Sequence, residues 1–195
     1  MMIQSIFSSV LITDTVTSID NEELKKYAMM LREKDTGVIK SNFLGWQSDT
    51  LSIPNEQIQL LVDSIIQRLL VLKSRLGFKD DVKIYLNNLW ININQKSSFN
   101  RPHVHPGSTL SGTYYVDCDT NSGNLVFKHP SMGHQYSIKD GAIDEFTEYN
   151  AAHWSVSPEI GKLIIFPSWL EHYVEPNVSE RERISIAFNI EIEKG

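Results

Sequence analysis

Residues 82–94, VKIYLNNLWININ, decide the fold class. Apolar or aromatic side chains alternate with polar ones, most regularly from Leu89 to Asn94. That period of two puts one face of a strand in a core and leaves the other polar. Downstream, Ser111–Val116, Gly123–Phe127, Lys162–Phe166 and Ile184–Ile192 predict further strands. Turn formers separate them at Pro106-Gly107, Asn121-Ser122-Gly123, Pro158, Pro167 and Pro176-Asn177. The segment Ser131–Ala152 is the least regular and reads as a hairpin or a loop over a site mouth.

Upstream of Val82 the period lengthens. Asp20 can cap a helix, with Glu23 three residues on as in a capping box. Leu24, Tyr27, Ala28 and Leu31 then share one face. A second helix is predicted from about Pro54 to Leu76, carrying the apolar stripe Ile58, Leu61, Val62, Ile65, Leu69, Leu72 and Leu76, with Gly77 as its stop. The stretch SNFLGWQSDTL (residues 41–51) reads as loop or short strand. Many strands after a few helices predict an α+β chain: N-terminal helices packed on a β-sandwich or jelly roll.

A chain of 195 residues suits a single domain over 1–195, with helical support at about 18–80 and a β-core at about 82–192. The net charge of −6 and pI near 5.5 disfavour nucleic acid, whose phosphates call for clustered Lys and Arg. Cys118 is the only cysteine, so no intramolecular disulfide forms and a reducing, cytoplasmic setting is expected. It ends an apolar run and reads as structural. No stretch is apolar enough to span a bilayer. The N-terminus, MMIQSIFSSVLITDT, lacks a basic leader and reads as a first strand.

The histidines are the chemically informative residues. His103-Val104-His105 precedes Pro106-Gly107. On a strand, positions i and i+2 face the same way, and Pro-Gly would end that strand at a sheet rim. His172 follows the strand Lys162–Phe166 just past its end. A jelly roll brings such strand ends around one cavity, and imidazole suits iron, zinc, copper or nickel alike. Further on, Arg183, Ser185 and Ala187 share a face. An inward arginine is costly unless it meets a fixed anion, and its guanidinium clamps a carboxylate in a bidentate fashion. The alternation also permits Arg183 to pair with Glu180 or Glu182 on the surface. Trp90, Trp154 and Trp169 read as core or cavity wall. His129 and His153 read as surface or loop residues, and His134 with Tyr136 as weak candidates for substrate contact.

Taken in order, His103-Val104-His105, Ser111-Gly112-Thr113-Tyr114-Tyr115-Val116, Gly123-Asn124-Leu125-Val126-Phe127, the run from Gly161 to His172, and Arg183-Ile184-Ser185-Ile186-Ala187-Phe188-Asn189 resemble the 2-oxoglutarate/Fe(II) oxygenase superfamily. More narrowly, they resemble poorly characterised oxygenases of phages and bacteria. The likeness covers about residues 82–192, with a weaker echo at Gly45-Trp46-Gln47-Ser48. It implies a double-stranded β-helix, Fe(II) as metal, and 2-oxoglutarate and O2 as co-substrates for oxidation of a further, unidentified substrate. His103, His105 and His172 take the metal-ligand and catalytic positions. Arg183 takes that of the 2-oxoglutarate anchor, with Ser185 beside it. Tyr115 matches a co-substrate tyrosine of prolyl-hydroxylase-like members, and Asn92 and Asn94 fall on a strand that lines the pocket; as isolated asparagines they equally suit solvent.

One position departs from the wider pattern. The superfamily's second ligand is Asp or Glu; here it is His105. Three imidazoles leave the centre one negative charge short. Either dianionic 2-oxoglutarate partly compensates, or only two histidines bind, or Glu171 or another carboxylate joins. A bulky His105 argues against halide-admitting chemistry. Asn100 or Ser111 is expected to orient the histidines. Two other classes stay open from sequence: a three-histidine cupin-type dioxygenase or isomerase, with no use for Arg183, and a non-catalytic phage structural or binding protein. The apolar face of the second helix suits either core or a homodimer interface.

Overall fold

The computed structural model describes residues 2, 6–52, 55–131, 139 and 141–194. In chain order the elements are β1 (Ile12–Thr15), α1 (Asn21–Lys34), β2 (Asn42–Phe43), β3 (Trp46–Gln47), α2 (Glu56–Leu72), β4 (Val82–Asn94) and β5 (Phe99–His103). They continue with β6 (Leu110–Asp117), β7 (Leu125–Lys128), β8 (His153–Val156), β9 (Lys162–Pro167), β10 (His172–Val174) and β11 (Arg183–Lys194). Two antiparallel sheets form a double-stranded β-helix sandwich. The larger has the order β1-β9-β6-β11-β4-β3 and the smaller β2-β5-β10-β7-β8.

The long antiparallel pair β4–β11 is the spine. Arg183 lies opposite Asn94, Ser185 opposite Asn92, Ala187 opposite Trp90 and Asn189 opposite Asn88. Between them, Ile184, Ile186 and Phe188 stand opposite Ile93, Ile91 and Leu89. Since successive side chains point to opposite faces, the sheet has one apolar face and one polar face. The apolar face joins α1 and α2 in a single core with Leu24, Ala28, Ile58, Leu61, Val62, Ile65 and Leu69. Each such buried side chain contributes roughly 1.5–3 kcal/mol. The polar face looks into the sandwich.

The helix ends show why the chain turns where it does. Asp20 caps α1 by accepting from Glu23 N at 3.0 Å. The reciprocal half of a capping box comes from elsewhere: Asp20 N donates to Gln57 Oε1 at 2.9 Å, tying the start of α1 to the first turn of α2. Asn55 caps α2 by accepting from Gln57 N and Ile58 N; Pro54 lies outside the described residues. Regular helix ends at Leu72, four residues before the predicted end, and one further turn follows. Gly77, at φ +74°, closes that turn. Its N–H donates to Ser74 O and that of Phe78 to Lys73 O, the pattern of a left-handed helix stop.

Three other expectations change. The predicted N-terminal strand shrinks to Ile12–Thr15, with Met2, Ile6 and Phe7 exposed. Trp154 and Trp169 are exposed rather than core, and neither lines the cavity described below. His134 and Tyr136 lie outside the described residues. Among the described residues no helix is long and apolar enough to cross a membrane.

Leu61 is fully buried between α2 and the larger sheet. Leu61→Ala is expected to lower stability by about 2–5 kcal/mol, the sum of lost transfer energy and a residual cavity. Urea denaturation should show a lower midpoint with an unchanged slope.

Candidate metal centre and co-substrate pocket

His103 ends β5 and His172 opens β10, and the two strands pair with these residues opposite each other. His105 lies past the end of β5, so His103 and His105 do not share one regular strand as expected. Convergence is imposed instead by the backbone: His105 N donates to Ser168 O at 2.9 Å, drawing the segment after β5 towards the end of β9. The candidate ligand nitrogens of His103, His105 and His172 all lie within 4.8 Å of one another. His105 Nε2 and His172 Nε2 are 3.2 Å apart.

Backbone carbonyls orient two of these rings. His103 Nδ1 lies 2.7 Å from Arg101 O, and His172 Nδ1 lies 2.8 Å from Leu170 O. A carbonyl only accepts, so Nδ1 carries the proton in each and the Nε2 lone pair is left for a cation. Asn100 and Ser111, expected in this role, are engaged elsewhere. Asn100 donates to Ser41 Oγ, and Ser111 bonds to Asn189 and Ser168. Glu171 does not join the cluster; it forms an ion pair with Lys128 at 2.5 Å.

Burial shapes the protonation of these rings. It pushes His172 down to about 3 and His105 to about 4, with neighbouring His103 adding to both, and it also lowers His103. All three are therefore neutral near pH 7, ready to bind a cation without first losing protons.

Arg183 opens β11 on the polar face and is 1% exposed. Glu180 and Glu182 do not pair with it. They bind Lys96 and Arg32, the latter at 2.6 Å. Arg183 Nη1 donates to Ser122 O and, at 3.3 Å, to Gly123 O, while Nη2 is buried without a partner among the described residues. Burial pulls its pKa below the usual arginine value, and no carboxylate among the described residues offsets that. Ser185, two residues on, sits between Asn92 of β4 and Tyr115 of β6. Tyr115 is 2% exposed, and burial raises its phenol to about 12, so it stays a neutral donor. Asn92 Oδ1 is buried without a partner, and Asn94 stands across from Arg183.

One cavity of about 730 Å³ takes in all of these groups: the three histidines, Arg183, Ser185, Tyr115, Asn92 and Asn94. Sequence reading missed Gln47, Asn88, Thr113 and Asn189, which also line it. Asn88 and Asn189 were in phase with Asn92 and Arg183 on their strands, so the period of two was a usable signal. Thr113 was likewise in phase with Tyr115, and Gln47 fell within the Gly45–Ser48 echo. Trp90 is a cavity wall as expected, its ring 5.8 Å from that of His105. Cys118 is buried, and burial raises its thiol to about 11, in keeping with a structural role.

Residues 88–189 match the family described as "Putative 2OG-Fe(II) oxygenase", and the chain belongs to that family. No curated protein sequence matches the chain. Among solved structures, the fold is similar to a Pseudomonas putida prolyl-4-hydroxylase, at 15% identity, TM-score 0.61, and coverage of 93% of this chain and 92% of the other. It is also similar to the viral collagen prolyl hydroxylase of Paramecium Bursaria Chlorella virus-1, crystallised with 2-oxoglutarate, at 13% identity, TM-score 0.59, and coverage of 92% and 94%. A third is HygX from Streptomyces hygroscopicus, with nickel and 2-oxoglutarate bound, at 13% identity, TM-score 0.53, and coverage of 94% and 83%.

Two outcomes follow for this site. Below about pH 6.5 the unfolded chain takes up protons on these histidines while the folded, metal-free chain does not. The unfolded state then binds more protons, so stability falls with pH from about 6.5 towards 4. Urea midpoints across that window should show the decline, and it should be shallower in His172→Gln. Separately, Gly123 sits at φ +84°, and a Cβ there would lie 2.3 Å from Glu175 O. Gly123→Ala is expected to destabilise by at least about 1 kcal/mol through the left-handed backbone alone, measurable as a lower thermal midpoint, and to disturb the carbonyl pair that holds Arg183.

Proposed function

We propose that this chain is an Fe(II)- and 2-oxoglutarate-dependent dioxygenase in which His103, His105 and His172 hold the metal and Arg183 anchors the co-substrate. The observation that carries the reading is Arg183: a buried guanidinium, half-satisfied by two carbonyls, sharing a cavity with three converging neutral imidazoles. A buried cation with a free N–H edge is several kcal/mol unfavourable unless an anion arrives. A metal alone needs only the histidines. A metal chelated by an anion with a second, distal carboxylate explains both.

The residues present fit the two groups. Three neutral nitrogen donors suit a first-row divalent ion, and they bring no charge. Bound 2-oxoglutarate, a dianion, would offset part of the positive charge of the metal and Arg183, which these neutral ligands leave uncompensated. Arg183 Nη2 would take its distal carboxylate, with the Ser185 hydroxyl and the Tyr115 phenol as neutral donors on either side. Asn92 and Asn94 would line the same end. Fe(II) with 2-oxoglutarate supplies, when bound, activation of O2 coupled to oxidative decarboxylation of the co-substrate. The chain's contribution is position and dryness. Arg101 O and Leu170 O keep two imidazoles in the metal-binding tautomer. Phe166, with its ring 4.6 Å from that of His172, and Phe127, at 6.1 Å, keep water from the outer side of the centre.

Anaerobic addition of Fe(II) and then 2-oxoglutarate should produce a visible metal-to-ligand charge-transfer band. Arg183→Ala should weaken 2-oxoglutarate binding by about 2–5 kcal/mol, and Arg183→Lys should recover little of it, because an ammonium lacks the planar fork. Succinate release in air should follow the same order. Iron binding without a band in the wild type, or a band indifferent to Arg183, would replace this reading with a three-histidine dioxygenase or isomerase that has no 2-oxoglutarate.

A further inference from the structure

The cavity has a second end. Along β4 the inward residues run Asn94, Asn92, Trp90, Asn88, and opposite them on β11 run Arg183, Ser185, Ala187, Asn189. At about 3.3 Å per residue, Asn88 lies roughly 20 Å along the strand from Asn94. The Arg183 end is the one assigned above to 2-oxoglutarate. Trp90, whose ring meets that of His105, marks the middle. Asn88 and Asn189 form the far end, beyond the metal centre.

That far end is internally wired. Ser168 Oγ and Ser111 Oγ are 2.7 Å apart, Ser111 Oγ donates to Asn189 Oδ1 at 2.7 Å, and Asn189 Nδ2 donates to Asn88 Oδ1 at 2.8 Å. Such a chain can in principle run either way, since hydroxyls rotate and carboxamides flip. Ser168 decides the direction. It is 0% exposed, and among the described residues Ser111 is its side chain's only hydrogen-bond partner. In the reverse direction Ser111 would donate to Ser168 and leave the Ser168 O–H buried without an acceptor, a desolvation cost that the forward direction avoids. The protons therefore run Ser168→Ser111→Asn189→Asn88. The relay ends on a carboxamide whose oxygen faces Asn189, with one of its two lone pairs engaged, and whose Nδ2 hydrogens remain for the cavity, which Asn88 lines.

Resting on the dioxygenase reading for the location of the metal and co-substrate, we infer that Asn88 is a specificity-determining residue whose Nδ2 donates to a neutral carbonyl acceptor of the substrate, an amide in particular, laid against Trp90. The ordered relay turns the Asn88 oxygen towards Asn189 and leaves its Nδ2 hydrogens to the cavity, so an acceptor on the substrate complements this end. Neither Lys nor Arg is among the relay residues, so nothing there offsets the desolvation of a carboxylate or phosphate. The cationic lining residues other than Arg183 are Lys40 and Arg101, both exposed. An amide carbonyl is the strongest neutral acceptor common in biological molecules, and its planar face suits an indole wall.

The test uses the full chain with 2-oxoglutarate, loaded anaerobically with Fe(II) for the charge-transfer band and with diamagnetic Zn(II) for the resonances, with a metal-free sample in parallel. The probe is N-acetylglycine methylamide, compared with acetate, and the readout is the carboxamide and indole N–H resonances of 15N-labelled protein. The amide should shift Asn88 Nδ2 and Trp90 Nε1 saturably, and acetate should not shift Asn88. Asn88→Asp keeps an acceptor for Asn189 but removes the donor, and should weaken the amide by about tenfold or more while leaving the charge-transfer band with 2-oxoglutarate unchanged. Asn88→Ala serves if the aspartate variant does not fold. Amide binding indifferent to both substitutions, acetate binding at Asn88 as tightly as the amide, or no shift of Asn88 would each overturn the inference. The arms separate the two readings. A band without amide discrimination removes the subsite and leaves the cofactor assignment. Amide shifts at Asn88 in the Zn(II) and metal-free samples without a band in the Fe(II) sample do the reverse.

Discussion

A guanidinium buried to 1% exposure, with no carboxylate partner among the described residues, is the constraint on which the pocket depends. Burying such a charge opposes folding, and Ser122 O and Gly123 O offset only part of that penalty, because neutral carbonyls supply dipoles rather than a countercharge. The surrounding structure is arranged to hold it there. Gly123 adopts a left-handed backbone that brings its carbonyl to the guanidinium and leaves no room for a Cβ against Glu175 O. Asp117, the nearest buried acid in the register of β6, is taken up by Lys25 at 2.6 Å and by Arg181. One N–H edge of Arg183 is thereby left without a partner among the described residues.

The long β4–β11 pair connects this constraint to the fold. One set of alternate residues supplies the core that binds α1 and α2; the other lines the cavity. A slip of one residue would invert both faces at once, placing Arg183 among the leucines of α2 and Ile184 in the pocket. The apolar packing of the helices thus enforces the polar register of the site. The energy that places Asn88, Asn92, Ser185 and Arg183 comes from Leu61, Ile65, Ile91, Ile186 and Phe188 on the opposite face.

The histidine centre is organised differently. It stands at strand ends, where β5 and β10 meet with His103 opposite His172, and where the segment carrying His105 is drawn in by Ser168 O. Ring orientation comes from main-chain carbonyls two residues before His103 and His172. Such partners are insensitive to side-chain identity, and so no residue type in the sequence could mark them. Ser168 serves twice: its carbonyl draws in His105, and its hydroxyl sets the direction of the relay to Asn88.

What the sequence determined by itself was the local pattern. The period of two over Val82–Asn94 marked β4 to the residue, the cap at Asp20 and the stop at Gly77 were legible, and the histidines and Arg183 stood out because few other roles suit them. The tertiary structure alone decided which partners those residues met. It withheld a carboxylate from Arg183, sent Glu171 to Lys128, moved His105 off the strand while keeping its ring in the cluster, and joined Asn88 to Asn189 across two strands. The physical reason is range. Period, capping and turn chemistry act within a few residues, whereas the partner of a buried charge or amide is set by strands that are distant in sequence and adjacent only once the sandwich has closed.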